Sequence, residues 1–467
     1  MNKYYITTPI YYVNDVPHSG HAYTTLAADI LARYFRQKLG DKNVFFLTGT
    51  DEHGQKVAQA AKENGVSPKE YADSVATRFK DAWKLLNIEY DYFIRTTDPS
   101  HEKVVSELLQ KIYDDGFIYK GSYKGLYCIG CEKFLTETEL VDGKCPLHPN
   151  KEPVYQEEKN YFLKLSELSK KVLEKIEKGE YEILPIERKN EVVGRLKQKV
   201  EDISISRAGV PWGIPVPWDK SQTIYVWVDA LINYYSATRF VEGKEKYWPA
   251  DLHLVGKDIL WFHAVIWQAL LIAAGIALPK KIFAHGYFTI DGQKMSKSLG
   301  NVISPEQLID RYGVDGTRYL IISAYQLGDD GDISLQRFDA KYNADLADAL
   351  GNLVSRVAKL CEKVEIDTPG PSRIPEEYSK DLENFDLYGV LEVIRGQVTS
   401  ANRYIDKNEP WKITDEKKLI GVLKTLAAKI LDLANQLKPF IPETSEKIEK
   451  QFKGPKIKSG SPLFPRL

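Results

Sequence analysis

Methionine is almost missing from this chain: two in 467 residues, Met1 and Met295. Cysteine is nearly as scarce, and four thiols cannot staple a chain of this size, which excludes a disulfide-built secreted scaffold. A reducing, intracellular setting makes metal binding the better use for clustered cysteines. No apolar run is long enough to span a bilayer; the longest, Ala264 to Leu278, is broken by Gln268 and reads as a buried helix. The opening stretch MNKYYITTPIYYVNDVPHSGH has no uninterrupted apolar segment of the signal-peptide kind. A fixed-period repeat is lacking, which excludes solenoids and arrays. Charge of one sign is lacking too. With 64 Lys and Arg against 65 Asp and Glu the net charge is −1, so any nucleic-acid footprint must be local. What is present, 43% hydrophobic and 28% charged residues, describes a globular protein. Its length exceeds one core and implies roughly two to four domains.

The first 118 residues alternate strand-like and helix-like segments. Tyr4–Val13, Asn43–Leu47 and Tyr90–Ile94 read as strands, and the stretches from about Ala22 to Leu39 and from Pro68 to Leu86 as helices. Such alternation predicts βαβ units and a parallel sheet, with ligands beyond the carboxyl ends of its strands. The polar segments Tyr12–His21 and Thr48–Gly54 lie there. The texture changes over residues 119–217, read as an inserted domain carrying three of the four Cys, the helix-like Leu165–Lys178 and the extended Ile203–Arg207 and Val210–Pro217. The α/β domain resumes over 218–290, with strands at Ile224–Val228, Leu252–Val255 and Lys281–Ala284 and helices at Asp229–Thr238 and Asp258–Ala274. A loop and junction over 291–337 leads to an all-helical region, 338–467, with Ala340–Val364, Tyr388–Asn408 and Lys417–Lys438 as its apolar-periodic stretches.

Chemistry concentrates in three places. Pro17-His-Ser-Gly-His21 follows a strand and opens a helix, where unpaired backbone N–H groups already favour anions. His18 and His21, three apart, point the same way and add imidazole donors suited to phosphate, while Gly20 lets a ligand approach the backbone. An ordinary helix start with incidental His fits this short pattern as well. Further on, Asp291-Gly-Gln-Lys-Met-Ser-Lys-Ser-Leu-Gly-Asn301 places Lys294 and Lys297 on a Gly-flanked loop after a turn at Asp291-Gly292. Two ammonium groups there suit charge developing on a transferring phosphoryl group; a solvated surface loop is the plain alternative. Thirdly, Cys128-x₂-Cys131, 13 residues, then Cys145-x₂-His148 gives two paired-ligand turns, matching one tetrahedral structural Zn²⁺ with no position left open for catalysis. A redox CxxC pair would not need the second turn. Cys361 sits on an apolar helical face and reads as core.

HSGH early and KMSKS late resemble the two signature motifs of class I aminoacyl-tRNA synthetases. The words TTPIYYVNDVPHSGHAYTT, FFLTGTDEHGQK, ISRAGVPWGIPVP, VWVDALINYYSA, LVGKDILWFH, LGNLVSR and ANRYIDKNEPW resemble the methionyl-tRNA synthetases, in that family's order and over essentially the whole chain. Ser19 stands where the first motif usually has a branched apolar residue, and His148 where many members have a fourth Cys.

The resemblance implies an α/β, Rossmann-type catalytic domain split by a zinc-binding insertion and followed by an all-α anticodon-binding bundle. It implies a cytoplasmic enzyme, without membrane attachment and expected to be a monomer. Such an enzyme forms methionyl-adenylate from L-methionine and ATP with Mg²⁺, then charges tRNA(Met), initiator tRNA included. By the same resemblance His18, His21, Lys294 and Lys297 are catalytic, and Gly20, Gly256, Asp258 and Lys297 bind ATP. Ile10, Tyr12, Asp51, Trp227, Ala230, Leu231, Tyr234, Ile259, Phe262 and His263 form the methionine pocket, with Asp51 meeting the ammonium. An aromatic and apolar lining suits a flexible thioether, although core packing accounts for each aromatic taken singly. Asn352, Arg356 and Trp411 fall where the family reads the anticodon. The last 67 residues carry 14 Lys and Arg against 8 Asp and Glu, while residues 335–400 carry 8 against 12. The overall neutrality therefore averages an acidic stretch against a basic end. Two other readings stay open: a cysteinyl or leucyl class I enzyme, and a catalytically silent tRNA- or zinc-binding scaffold. Residues 154–223 are too few for a large editing domain, and the metal ligands lie away from both signature motifs.

Overall fold

The aromatic and β-branched run at the start of the chain forms the central strand of a six-stranded sheet. A computed structural model describes residues 2–467 except 15, 129–132, 136–139, 147–151, 291–292 and 295–302. The sheet strands are β1 (Tyr4–Tyr12), β2 (Val44–Asp51), β3 (Tyr92–Arg95), β4 (Glu182–Leu184), β5 (Leu252–Gly256) and β6 (Lys281–His285). All pairings are parallel, in the order β3-β2-β1-β5-β6-β4. The order reverses at β1, so the crevice between β1 and β5 is the switch point of an α/β fold.

Successive residues of these strands feed two different cores. Tyr4, Ile6, Phe46, Leu254 and Phe283 join one, and Tyr5, Phe45, Leu47, Val255 and Ile282 the other. A period of two with both faces covered explains why the strands read as continuous apolar runs. Each fully buried Phe or Leu contributes about 2 kcal/mol in transfer terms. Helices α1 (Ser19–Leu39) and α2 (Pro68–Leu85) cover the first face. Helices α3 (Pro99–Asp114), α4 (Val226–Phe240) and α5 (Trp267–Ala274) cover the second. Local signals set their starts: Ser67 caps α2 through Glu70 N with Pro68 in the first turn, and Asp98 caps α3 through Ser100 N.

Three sequence expectations change. The interval 119–217 does not stay apart from the sheet, because Glu182–Leu184 pairs with β6 as its edge strand and the helix Leu165–Glu177 shares the second core. What projects is the antiparallel hairpin of Ile118–Cys128 and Val154–Leu163, flanked by Lys133–Leu135 and Ile203–Ser204. Secondly, Ile224–Val228 is not a strand: the strand Asp219–Ile224 ends there and α4 begins at Val226. An apolar run buried on all sides carries no period that separates strand from helix. Thirdly, Asp258–Ala274 is not one regular helix. A 3₁₀ turn at Lys257–Ile259 is followed by a wide π turn, Phe262–Ile266, which runs into α5.

After α6 (Pro305–Ile322) and the short strand Gly331–Asp332 the regular elements are helical, with α7 (Asn352–Cys361), α8 (Leu387–Asn408), α9 (Glu416–Leu437) and α10 (Pro442–Gln451). Short helices at Leu335–Lys341 and Glu376–Glu383 add to them. This region has no core of its own. Phe338, Leu353, Leu391 and Leu426 belong to the same apolar cluster as Tyr4, Ile6 and Phe46. Cys361 is buried in it, and burial pushes its thiol up to about 12. Among the described residues no helix is long and apolar enough to cross a membrane.

Candidate active site

The carboxyl ends of four strands deliver the polar groups: Tyr12 from β1, Asp51 from β2, Gly256 from β5 and His285 from β6. His18 is the N-cap of α1, and Gly20 N donates to its Nδ1 at 3.1 Å. His18 N donates to His21 Nδ1 at 3.4 Å, and the two imidazoles stack with centroids 3.8 Å apart. A neutral imidazole that accepts at Nδ1 carries its proton on Nε2. Burial, and then the charge of His18, hold His21 well below the usual histidine range. The turn thus adds side-chain N–H donors to a helix N-terminus. Ser19 is buried, and its N donates to Ile303 O at 3.1 Å. That bond ties the HSGH turn to the chain leaving the KMSKS segment.

Lys294 lies in the short strand Gln293–Lys294, paired with Thr289 of Phe288–Ile290. Lys297 and the Asp291-Gly292 turn lie outside the described residues. Gly256 and His285 are partners in register. A Cβ on Gly256 would stand 2.8 Å from Asp258 Oδ1, so a larger residue there would push that carboxylate aside. Asp258 itself is exposed. His285 escaped the sequence reading. Its Nδ1–H donates to Gly286 O at 2.8 Å, so Nε2 accepts from Thr24 of α1 at 2.7 Å. The HSGH helix is thereby fixed to the end of β6. The only hint in the sequence is its position at a strand terminus.

Most residues expected to line the amino-acid pocket lie on two helical segments that touch at two points. Trp227, Ala230, Leu231 and Tyr234 lie on α4, and Ile259, Phe262 and His263 on the turns before α5. Trp227 and Phe262 stack with centroids 4.0 Å apart. His263 donates from Nδ1 to Ile259 O at 2.9 Å and accepts at Nε2 from Tyr234 Oη–H at 2.7 Å. Burial drives His263 down to about 4, against the Ile259 bond and the charge of Asp258, so it is neutral at pH 7. Burial raises Tyr234 well above the usual phenol range, and the nearby Asp51 charge adds to this. Ile10 and Tyr12, partly buried, pack on the same core. Asp51 is buried at the end of β2, and its charge reaches Tyr234.

The residues expected at the anticodon lie on α7 and just past the end of α8. Asn352 is exposed at the start of α7, and Arg356 Nη2 donates to Asp406 Oδ1 of α8 at 3.0 Å. Trp411, five residues beyond Asp406, is 47% exposed. Of the expected zinc ligands, Cys128 and Cys145 are both about 1% exposed and share a small cluster with Leu135, against which Leu140 packs. Cys131 and His148 lie outside the described residues. Two buried thiols sharing one cluster are soft donors of the kind that suits Zn²⁺.

The family model for tRNA synthetases class I (M) matches residues 4–152 and 148–358. The chain belongs to this family. A methionine–tRNA ligase of Caldanaerobacter subterraneus is 42% identical over 99% of this chain and 79% of its own length. A methionine–tRNA ligase of Streptomyces coelicolor is 43% identical over 95% of this chain and 88% of its own. Among solved structures, Mycobacterium tuberculosis methionyl-tRNA synthetase in complex with methionyl-adenylate superposes with a TM-score of 0.91 at 35% identity, covering 100% of both chains. The apo form of that synthetase gives a TM-score of 0.83 at 31% identity, covering 100% of this chain and 98% of the other. Membership in this class I family agrees with the parallel sheet and with the order of the two signature motifs.

Proposed function

We propose that this chain is a methionine–tRNA ligase. It joins methionine to ATP as methionyl-adenylate, releases pyrophosphate, and passes methionine to the 3′ end of tRNA(Met), initiator tRNA included. The observation that carries the reading is the bond from Ser19 N to Ile303 O. It joins the turn that carries both imidazoles to the chain leaving KMSKS, which supports a site at the crevice where an α/β sheet binds its ligand.

A methionine carboxylate oxygen attacks the α-phosphorus, and the bond to the bridging oxygen breaks so that pyrophosphate leaves with the electron pair. The protein's part is positioning and charge stabilisation. His18 and His21 donate N–H groups to phosphate oxygens, with Gly20 allowing close approach. Gly256 and Asp258 meet the nucleotide, and Lys294 and Lys297 offset charge on the reacting and leaving phosphates. Mg²⁺ enters with ATP as part of the substrate. Asp51 holds the methionine ammonium, while Ile10, Tyr12, Trp227, Ala230, Leu231, Tyr234, Ile259 and His263 enclose the thioether side chain. Asn352, Arg356 and Trp411 meet the anticodon, whose unstacked bases lie on aromatic or guanidinium planes. Cys128, Cys131, Cys145 and His148 would hold one structural Zn²⁺, which cross-links the projecting hairpin. The enzyme works in the cytoplasm as a monomer, its α/β halves flanking the insertion and preceding the anticodon-binding helices.

Pyrophosphate exchange into ATP, measured with each of the twenty amino acids, tests the reading. Methionine alone should drive it; exchange with cysteine or leucine but not methionine overturns it. Lys297→Ala should slow exchange severely while leaving methionine binding nearly intact, and unchanged activation kinetics would refute its role.

A further inference from the structure

Behind the methionine pocket lies a buried ionic cluster that no step above uses. Asp229, in the first turn of α4, is 1% exposed, and each of its oxygens holds an imidazole. Oδ2 bonds His53 Nδ1 at 2.7 Å and Oδ1 bonds His101 Nε2 at 2.8 Å. His101, fully buried in the first turn of α3, reaches Ser236 Oγ through Nδ1 at 2.7 Å, so it grips α4 at two points. His53 stands two residues after Asp51, on the turn that follows β2. Burial works against the charge on Asp229 but is outweighed by the hydrogen bonds and charges of His101 and His53, and its carboxyl sits below the usual range.

The geometry of α4 gives this cluster a purpose. At about 100° per residue, Trp227, Ala230, Leu231 and Tyr234 fall in one stripe of about 100°, while Asp229 and Ser236 fall on the opposite side. The stripe lines the pocket; the other side is clamped. The turn bearing Asp51 is held as firmly. Glu52, fully buried, accepts from Arg95 Nε and Nη2 at 2.6 and 2.8 Å and from Thr97 Oγ1 at 2.5 Å. Gly54 N bonds Trp212 O at 3.0 Å with φ 108°, a conformation that favours glycine. Asp51 is thus flanked by residues anchored elsewhere, and the His53–Asp229–His101 chain is the link from its turn to the pocket helix.

We propose that His53, Asp229 and His101 are positioning residues for methionine. They hold the ammonium-binding Asp51 in register with the apolar stripe of α4, so that both ends of the amino acid are engaged at once. The proposal rests on the methionine-ligase reading. None of the three touches substrate. Their effect falls on methionine, since the nucleotide side is carried by α1, β5 and β6.

The test uses the full-length enzyme in pyrophosphate exchange, with KM measured separately for methionine and for ATP. His101→Leu and His53→Leu should each raise the methionine KM about tenfold or more, because small misplacements of a bound reactant are costly. The ATP KM should change less than about twofold on the same ground. His101→Gln and His53→Asn, whose amide N–H groups replace Nε2–H and Nδ1–H, should recover most of the loss. Parallel rises in both KM values, or equal behaviour of leucine and amide variants, overturn the proposal. Should the leucine variants fail to fold, Asp229→Asn decides: one amide oxygen cannot serve both imidazoles, and an unchanged methionine KM overturns the proposal. Wild-type exchange with methionine is the separate control. Its absence would overturn the ligase reading, whereas the variants overturn only the positioning role.

Discussion

Replacing Arg318 by Met should cost this protein much of its stability. Arg318 and Asp29 are both 0% exposed and bonded, Nη2 to Oδ2, at 2.7 Å. The guanidinium also donates to Phe440 O at 2.8 Å, to Pro439 O and Leu86 O at 3.0 Å, and to Asn87 O at 3.1 Å. It therefore joins α6, which carries it, to α1, which carries Asp29, and to the carbonyls between α9 and α10. Methionine fills the volume but donates nothing. Breaking a buried ion pair by removing one partner costs about 3–5 kcal/mol. Each carbonyl left unsatisfied adds about 1–3 kcal/mol. Asp29 keeps Arg33 Nε at 2.8 Å and Glu89 N at 2.8 Å, and Asn87 O keeps Arg33 Nη2 at 2.7 Å, which holds the total toward the low end. A loss of about 6 kcal/mol is expected, against roughly 5–15 kcal/mol for a typical folded domain. Urea unfolding followed by tryptophan fluorescence reads it, since Trp83 is fully buried in the same core. The double variant Asp29→Asn/Arg318→Met removes both partners of one contact and should lose less than the sum of the singles, by about 2 kcal/mol. A single-variant loss below about 1 kcal/mol, or strictly additive losses, would refute the reasoning.

Three further outcomes are expected. Burial depresses His21, His253, His263 and His285, which stay neutral in the fold while the unfolded chain takes up protons near pH 6.5. Stability should therefore fall as pH drops from about 6.5 toward the folded value of about 4 for His263, by up to about 1.4 kcal/mol per pH unit for each histidine. His53, raised above its ordinary value, contributes stability that is complete below pH 6.5 and is lost only as pH rises through its folded pKa, so it adds nothing to the acid loss. Urea midpoints that stay flat between pH 7 and pH 5 would contradict this. Trp411→Ala should weaken tRNA charging, spare adenylate formation and change stability by less than about 0.5 kcal/mol; equal loss in both assays would mean that Trp411 is structural. Cys128→Ser should abolish bound zinc, measured by atomic emission on the purified protein, and expose the Ile118–Leu163 hairpin to protease. Zinc retained at one per chain would remove Cys128 from the ligand set.

Much of the fold was legible because its signals are local. The run at Tyr4–Val13 became β1 with one residue trimmed, and Ser67, Pro68 and Glu70 fixed the start of α2. The edge strand β4 was not legible. Three residues, half exposed at their ends, carry no usable period, and only pairing with β6 makes them a strand. Phe262 and His263 could be assigned only through resemblance, since the π turn that aims them has no signature in the sequence. The clamp formed by His53, His101 and Asp229 joins residues up to 176 positions apart, and each looks unremarkable in its own segment.

Spacing, caps and apolar periodicity act over a few residues, so most of the elements, the order of the two signature motifs and the family resemblance could be read along the chain. Which groups face one another is settled by the packing: Ser19 against Ile303, Trp227 on Phe262, Asp229 between two imidazoles and Arg318 among four carbonyls. Those contacts follow from strand order and helix placement, which bring together residues whose separation along the chain carries no trace of their distance in space. The physical reason is burial. A charge or polar group removed from water must find a partner, and the folded chain decides which one is within reach.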